Sequence, residues 1–239
     1  FMRKVQFVLV AVILSLGVII SSAIVSNTIE SLKKKDDVIS VKGVAEKKIK
    51  SDKGILSITV KSNDRDVNNA LVTLKQETND LVNNLKSDGF TDTEIKLGNI
   101  ISDPIYFYNE NGNATSRIIS YEVHQTVTVT TDKVDKLSPL ALKLSENLNL
   151  SVSEAQYLVT DVEKLKIDLL GDATKNAKLR ATELVKYNNR SIGGLKSVNQ
   201  GVFQITGDNN SESSDAGYYD TYSIEKTVRA VISIEYRME

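Results

Sequence analysis

Between Lys4 and Glu30 the chain carries no charged side chain, and Phe7 to Val25 is an almost unbroken run of Val, Ile, Leu and Ala. As a helix at about 1.5 Å per residue this run reaches roughly 28 Å, close to the ~30 Å hydrocarbon core of a bilayer. Such a segment either spans a membrane or delivers the rest of the chain across one. Ser21-Ser22-Ala23 would serve as a signal-peptide cleavage site, but the apolar run continues through Ile24 and Val25, which favours an uncleaved transmembrane helix. Basic residues do not orient it, because Arg3 and Lys4 on one side face Lys33, Lys34 and Lys35 on the other. The expected division is residues 1–29 as a transmembrane anchor or signal segment, 30–37 as a charged linker and 38–239 as a domain outside the cytoplasm.

That third part is long enough, at a hydrophobic content of 41% for the whole chain, to bury a real core. Thirty Lys and Arg against 31 Asp and Glu leave a net charge of −1, without the basic excess of a nucleic-acid binder. There is no cysteine, which removes disulfides, thiolate metal sites and cysteine nucleophiles.

Periodicity sets the elements. Val38–Ile49 and Ile55–Lys61 alternate like strands around the polar Ser51-Asp52-Lys53-Gly54, which reads as a β-hairpin. Val67, Leu71, Leu74, Thr78, Leu81 and Leu85 form one stripe of an amphipathic helix, with Asp64 or Asp66 to cap its start and Gly89 to end it. Ile95–Tyr108 and Arg117–Thr130 flank an Asn- and Gly-rich loop, the pattern of a long hairpin. In its second strand Tyr121, Val123, Val127 and Val129 share the core face. A helix over Val134–Leu148 carries Leu137, Leu140, Ala141, Leu144 and Leu148 on one side. It begins either with Ser138 as cap or near Lys133 with a bend at Pro139. A strand over Ser153–Thr160 and a long helix over Val162–Tyr187 come next, then strands over Leu195–Ile205 and Ser223–Arg237. The order ββαββ then αβαββ gives an α+β fold, helices packed on largely antiparallel sheet.

Several of these residues resemble the SIMPL domain family, which includes bacterial periplasmic immunogenic proteins. The resemblance runs from Val38 to Glu239. It rests on Ile39-Ser-Val-Lys-Gly43, Ser87-Asp-Gly-Phe-Thr-Asp-Thr-Glu-Ile95, the aromatic Asp103-Pro-Ile-Tyr-Phe-Tyr108 and Tyr121-Glu-Val-His-Gln-Thr-Val-Thr-Val129. Most specific is Asp172-Ala173-x-x-Asn176-Ala177-Lys178-x-x-Ala181-x-x-Leu184 with Ile192-Gly193-Gly194-Leu195-Lys-Ser-Val198 after it. The resemblance implies export, an envelope location and large homo-oligomers, and carries over no catalytic residue.

The residues themselves announce no reaction. His124, the single histidine, cannot build a multi-histidine metal site, and on an alternating strand it reads as a surface residue. Gly193-Gly194-Leu195-Lys196-Ser197 is only superficially a phosphate loop. Asp208, Asn210, Glu212 and Asp215 offer oxygen ligands, but Ser213 stands where a calcium loop needs Gly, so a solvated loop is expected. No cofactor or metal is expected. Loop aromatics are the residues that interfaces favour. Tyr106, Phe107 and Tyr108 in one hairpin and Tyr218, Tyr219 and Tyr222 before the last strand are therefore the candidate interface. Ala173, Ala177 and Ala181 allow close approach to the long helix, by the protein's own sheet before any neighbouring subunit. The expectation is a non-enzymatic envelope protein that self-assembles, with an envelope ligand-binding or chaperone-like partner-binding module as the alternative.

Overall fold

The computed structural model describes residues 14–29, 37–208, 214 and 216–239. Residues 14–29 form helix α1, with apolar side chains exposed all round. Among the described residues no helix is long and apolar enough to cross a membrane. Sixteen residues of α1 are described, about 24 Å at helical rise, and the rest of the expected span, residues 7–13, lies outside the described residues, as does most of the charged linker.

Among the described residues from Val38 on there are ten strands and three helices. They are β1 (Val38–Lys50), β2 (Lys53–Asp64), α2 (Val67–Ser87), β3 (Ile95–Tyr108), β4 (Ala114–Thr131), α3 (Leu137–Ser145), β5 (Leu150–Val152), β6 (Gln156–Leu158), α4 (Val162–Lys186), β7 (Ile192–Gln200), β8 (Gln204–Gly207), β9 (Tyr218–Tyr219) and β10 (Glu225–Met238). The class is mixed α+β, and every described pairing is antiparallel except β8 with β9. The chain divides into two compact units. One comprises the described residues of Phe1–Ala45 with Ile167–Val202 and Ala230–Glu239; the other comprises Glu46–Lys166 and Phe203–Arg229.

The larger unit is built on a five-stranded sheet in the order β3-β4-β2-β5, with β6 also on β2. Alternation does the sorting. Leu56, Ile58 and Val60 of β2 and Val123, Val127 and Val129 of β4 point to one face, where Leu74, Leu81 and Leu85 of α2 and Leu137 and Leu140 of α3 cover them. Each such side chain stabilises by about 1.5–3 kcal/mol when fully buried. Asp66 caps α2 through the Asn68 amide, and Gly89 takes the left-handed conformation, φ 92°, that the sequence leads one to expect. In the smaller unit α4 lays Ala173 and Ala177 against Gly43 of β1. A Cβ at Gly43 would collide with the Ala173 carbonyl and come within 2.7 Å of the Ala177 Cβ. The alanines of α4 thus serve the protein's own sheet.

Four expectations need correction. β1 and β2 do not form a hairpin: β1 neighbours β10 and β2 lies between β4 and β5. The intervening Ser51 and Asp52 amides donate instead to Ile224 and Leu158 carbonyls. The third helix is a 3-10 turn, Val134–Lys136, leading into α3, which ends at Ser145 and leaves Leu148 fully exposed. Pro139 falls in the first turn, where its missing N–H costs nothing. Of the strand over Ser153–Thr160 only Gln156–Leu158 forms, as β6; β5 precedes the expected span, and both pair with one edge of β2. The strand over Leu195–Ile205 is β7 and β8, separated by residues 201–203.

Candidate functional site

The β3–β4 hairpin outruns its sheet. β2 pairs with β4 from Gly54 opposite Thr131 to Asp64 opposite Tyr121, and past Tyr121 strand β4 has, among the described residues, only β3 beside it. From Ile105 to Ser120 the hairpin is therefore a two-stranded arm. Its tip holds itself: Asn109 Oδ1 accepts from the Asn111 and Asn113 amides at 3.1 and 3.0 Å, and Gly112 turns at φ 74°. The Thr115 hydroxyl donates to the Phe107 carbonyl at 2.9 Å, and the Arg117 guanidinium stands 5.6 Å from the Phe107 ring. On this arm Tyr106, Phe107 and Tyr108 are 39%, 45% and 61% exposed, and Ile118 and Ile119 are exposed with them. An ordered apolar patch in water is what an interaction surface looks like.

The other candidate tyrosines enter the structure differently. Tyr218 and Tyr219 form β9 beside Gln204 and Ile205 of β8, and the Tyr219 hydroxyl accepts from the Val159 amide at 3.1 Å. Tyr222 is exposed. Their stretch is anchored by Asp220, whose carboxylate accepts from the Tyr222 and Ser223 amides, and by the wholly buried Lys226, whose Nζ donates to the Asp220 carbonyl at 2.7 Å. Burial raises the Asp220 carboxyl, but those amides and Lys226 outweigh it and leave it lowered. Lys226 is in phase with the buried Val228, Ala230 and Ile232 of β10, so strand alternation marks it as inward-facing.

At the opposite end of β4 the hairpin is pinned. Glu94 accepts from the Thr91 amide at 2.8 Å, from Lys133 Nζ at 3.1 Å and from the Thr131 hydroxyl. Foremost the Thr131 hydroxyl, against the cost of burial and with help from Thr91 and Lys133, lowers the Glu94 carboxyl from 4.5 to about 2. Near this end lies a pocket of about 290 Å³. Its floor is Phe90 and Leu140, both buried, with Pro139. Its rim carries Lys143, paired with Asp88 at 3.0 Å, and Lys136, whose Nζ donates to the Asp88 carbonyl at 3.3 Å and has no carboxylate partner among the described residues. No local motif foretells this pocket, because its walls come from the end of α2 and the start of α3, about fifty residues apart in the chain.

His124 lies on the sheet face opposite the core, across from Lys61 of β2, with Glu122 two residues away on its own strand. Its buried Nδ1 makes no hydrogen bond and sits 3.8 Å from Asp103 Oδ2. Among the described residues no group of three or more His, Asp or Glu side chains is placed to hold a metal ion. Of the acidic loop considered for calcium, Asn210, Glu212 and Asp215 lie outside the described residues, and Asp208 pairs with Lys48 at 2.7 Å. Gly193 to Ser197 is extended strand within β7 rather than a loop opening a helix, so it has no phosphate-cradling geometry.

Comparison with known proteins gives one match. A family model described as SIMPL, protein of unknown function (DUF541), covers residues 39–236. No curated protein matches the chain. Since the match takes in both sheets and helices α2 to α4 almost end to end, the chain belongs to the SIMPL family.

Proposed function

We propose that this is a non-enzymatic protein of the cell envelope, held at a membrane by its N-terminal helix, that self-associates into homo-oligomers through the β3–β4 arm. The observation that carries the reading is the arm itself. It projects beyond the third strand, is ordered by its own hydrogen bonds and exposes Tyr106, Phe107 and Tyr108 with Ile118 and Ile119. Aromatic side chains on a preorganised loop give up little conformational entropy on binding and supply most of an interface's energy.

Helix α1 supports the membrane part. Leu14, Val18, Ile19, Ile24 and Val25 are exposed around its circumference, the mark of a helix made for apolar surroundings. Three of its hydroxyls bond within the helix. Ser21 donates to the Gly17 carbonyl, Ser22 to Val18 and Thr28 to Ile24, at 2.7–2.8 Å, as a lipid environment without water requires. The full-length chain should stay in the membrane pellet after carbonate extraction. Release of a soluble chain beginning at Ile24 would overturn the anchor.

Light scattering of the full chain in detergent tests the assembly reading: a protein mass well above 26.4 kDa is expected. A monomer would refute self-association. It would favour the second reading, an envelope module that binds a ligand or partner, for which the Phe90–Leu140 pocket is the supporting observation.

A further inference from the structure

We propose that the pocket floored by Phe90, Pro139 and Leu140 receives the tip of the β3–β4 arm of a second copy of this chain, so that subunits join head to tail; the inference rests on the self-association reading. Pocket and tip are complementary in chemistry. The tip presents aromatic rings beside a loop whose sole charged residue between Tyr108 and Thr115 is Glu110. The pocket offers an apolar floor under Lys136, which lacks a carboxylate partner among the described residues. Size agrees as well: an apolar cavity of about 150 Å³ accepts benzene, and this pocket measures about 290 Å³.

The chain's own tip cannot fill it. The tip precedes Ala114 and the pocket lies past Thr131, at the two ends of the 18-residue β4, on the order of 55 Å apart at strand rise. Pairing of two arms edge to edge is the competing contact, and the outer edge of β3 is ill suited to it. Pro104 interrupts it, and its register shifts between Leu97 and Ile100, at Ile105/Tyr106 and again before Tyr108; proline and bulges are what keep edge strands from pairing. A tip-to-pocket contact uses two different surfaces, so each subunit keeps one of each free and assembly continues until a ring closes.

Three full-length variants in detergent test this: Lys136→Glu, Glu110→Lys, and the arm variant Tyr106→Ser/Phe107→Ser/Tyr108→Ser. Lys136→Glu and Glu110→Lys should each weaken self-association about tenfold or more, since like charges then meet, and combining both in one chain should restore most of the loss. Mixing the arm variant with Lys136→Glu should yield a particle of two subunits that grows no further, because only one tip and one sound pocket remain. Both charge substitutions are at exposed positions, and matching melting curves will show that the fold is intact. If the parent assembles and the arm variant does not, but Lys136→Glu keeps the parental mass or the mixture fails to complement, the pocket is not the receptor and self-association stands. Capture of another envelope protein by the pocket with no change in self-association would also overturn it. A monomeric parent would remove both readings together.

Discussion

The two halves of one hairpin make opposite use of the same strand pattern. At the root, β4 is the middle of three strands, its Val123, Val127 and Val129 lie under α2, and Glu94 ties the start of β3 to Thr131 and Lys133. At the tip the same two strands have, among the described residues, neither third strand nor helix beside them, and Tyr106, Phe107, Tyr108, Ile118 and Ile119 are exposed. β-branched residues do not separate the halves, since both carry them, although the aromatics gather at the tip. What separates them is where β2 stops. The root carries stability, and the tip is free to carry recognition.

Breaking the root should produce the largest effect. Ile58, fully buried opposite Val127, should cost about 2–5 kcal/mol on replacement by Ala, read as a fall in the denaturant midpoint without loss of arm-dependent association in the protein that remains folded. A neutral Ile58→Ala would mean that the root is not the core it looks like. Glu94→Gln should come next. The folded carboxyl, at about 2, lies below its ordinary 4.5, so its contribution is present above pH 4.5 and is lost as the pH falls toward 2. That contribution is on the order of 2 kcal/mol for a group still in part reached by solvent. Glu94→Gln should therefore flatten the acid limb of a stability profile between these pH values; an unchanged limb would show that the pin is not electrostatic.

At the tip the effects on stability should fade while those on assembly grow. Replacing Tyr106, Phe107 and Tyr108 together by Ser should move the unfolding free energy by less than about 1 kcal/mol, as surface changes do, and reduce the particle mass. A large loss of stability would make the arm part of the core, and an unchanged mass would clear it as the contact. The smallest effect is expected at the boundary, at His124. With its Nδ1 unbonded and Asp103 at 3.8 Å, His124→Ala should shift stability by less than about 1 kcal/mol and leave the mass unchanged; a changed mass would extend the interface inward from the tip.

Much of this was legible from residues near one another in sequence. The stripe of α2, a cap at Asp64 or Asp66, of which the structure uses Asp66, and the Gly89 stop were readable because caps and periodicity act within a few residues. The β3–β4 hairpin was readable because its Asn- and Gly-rich loop dictates the return. The β1–β2 step misled for the same reason: a polar turn between two alternating strands is the usual hairpin sign. Here, however, the Ser51 and Asp52 amides are taken by Ile224 and Leu158. Lys226 was passed over, although its phase with Val228 placed it inside.

By itself the sequence determined the apolar start, the long helices α2 and α4, the long strands, the facing of α2 and β4, and the aromatic character of the arm. These arise from periods of 3.6 and 2 and from turn chemistry, all of which operate over a few residues. Only the tertiary structure decided that β1 leaves β2 for β10, that β2 ends at Asp64 and so frees the arm, and that Phe90 meets Leu140 beneath Lys136. Strand alternation fixes which side chains point inward but not which strand lies alongside. That choice is made by the burial of whole faces across long stretches of chain.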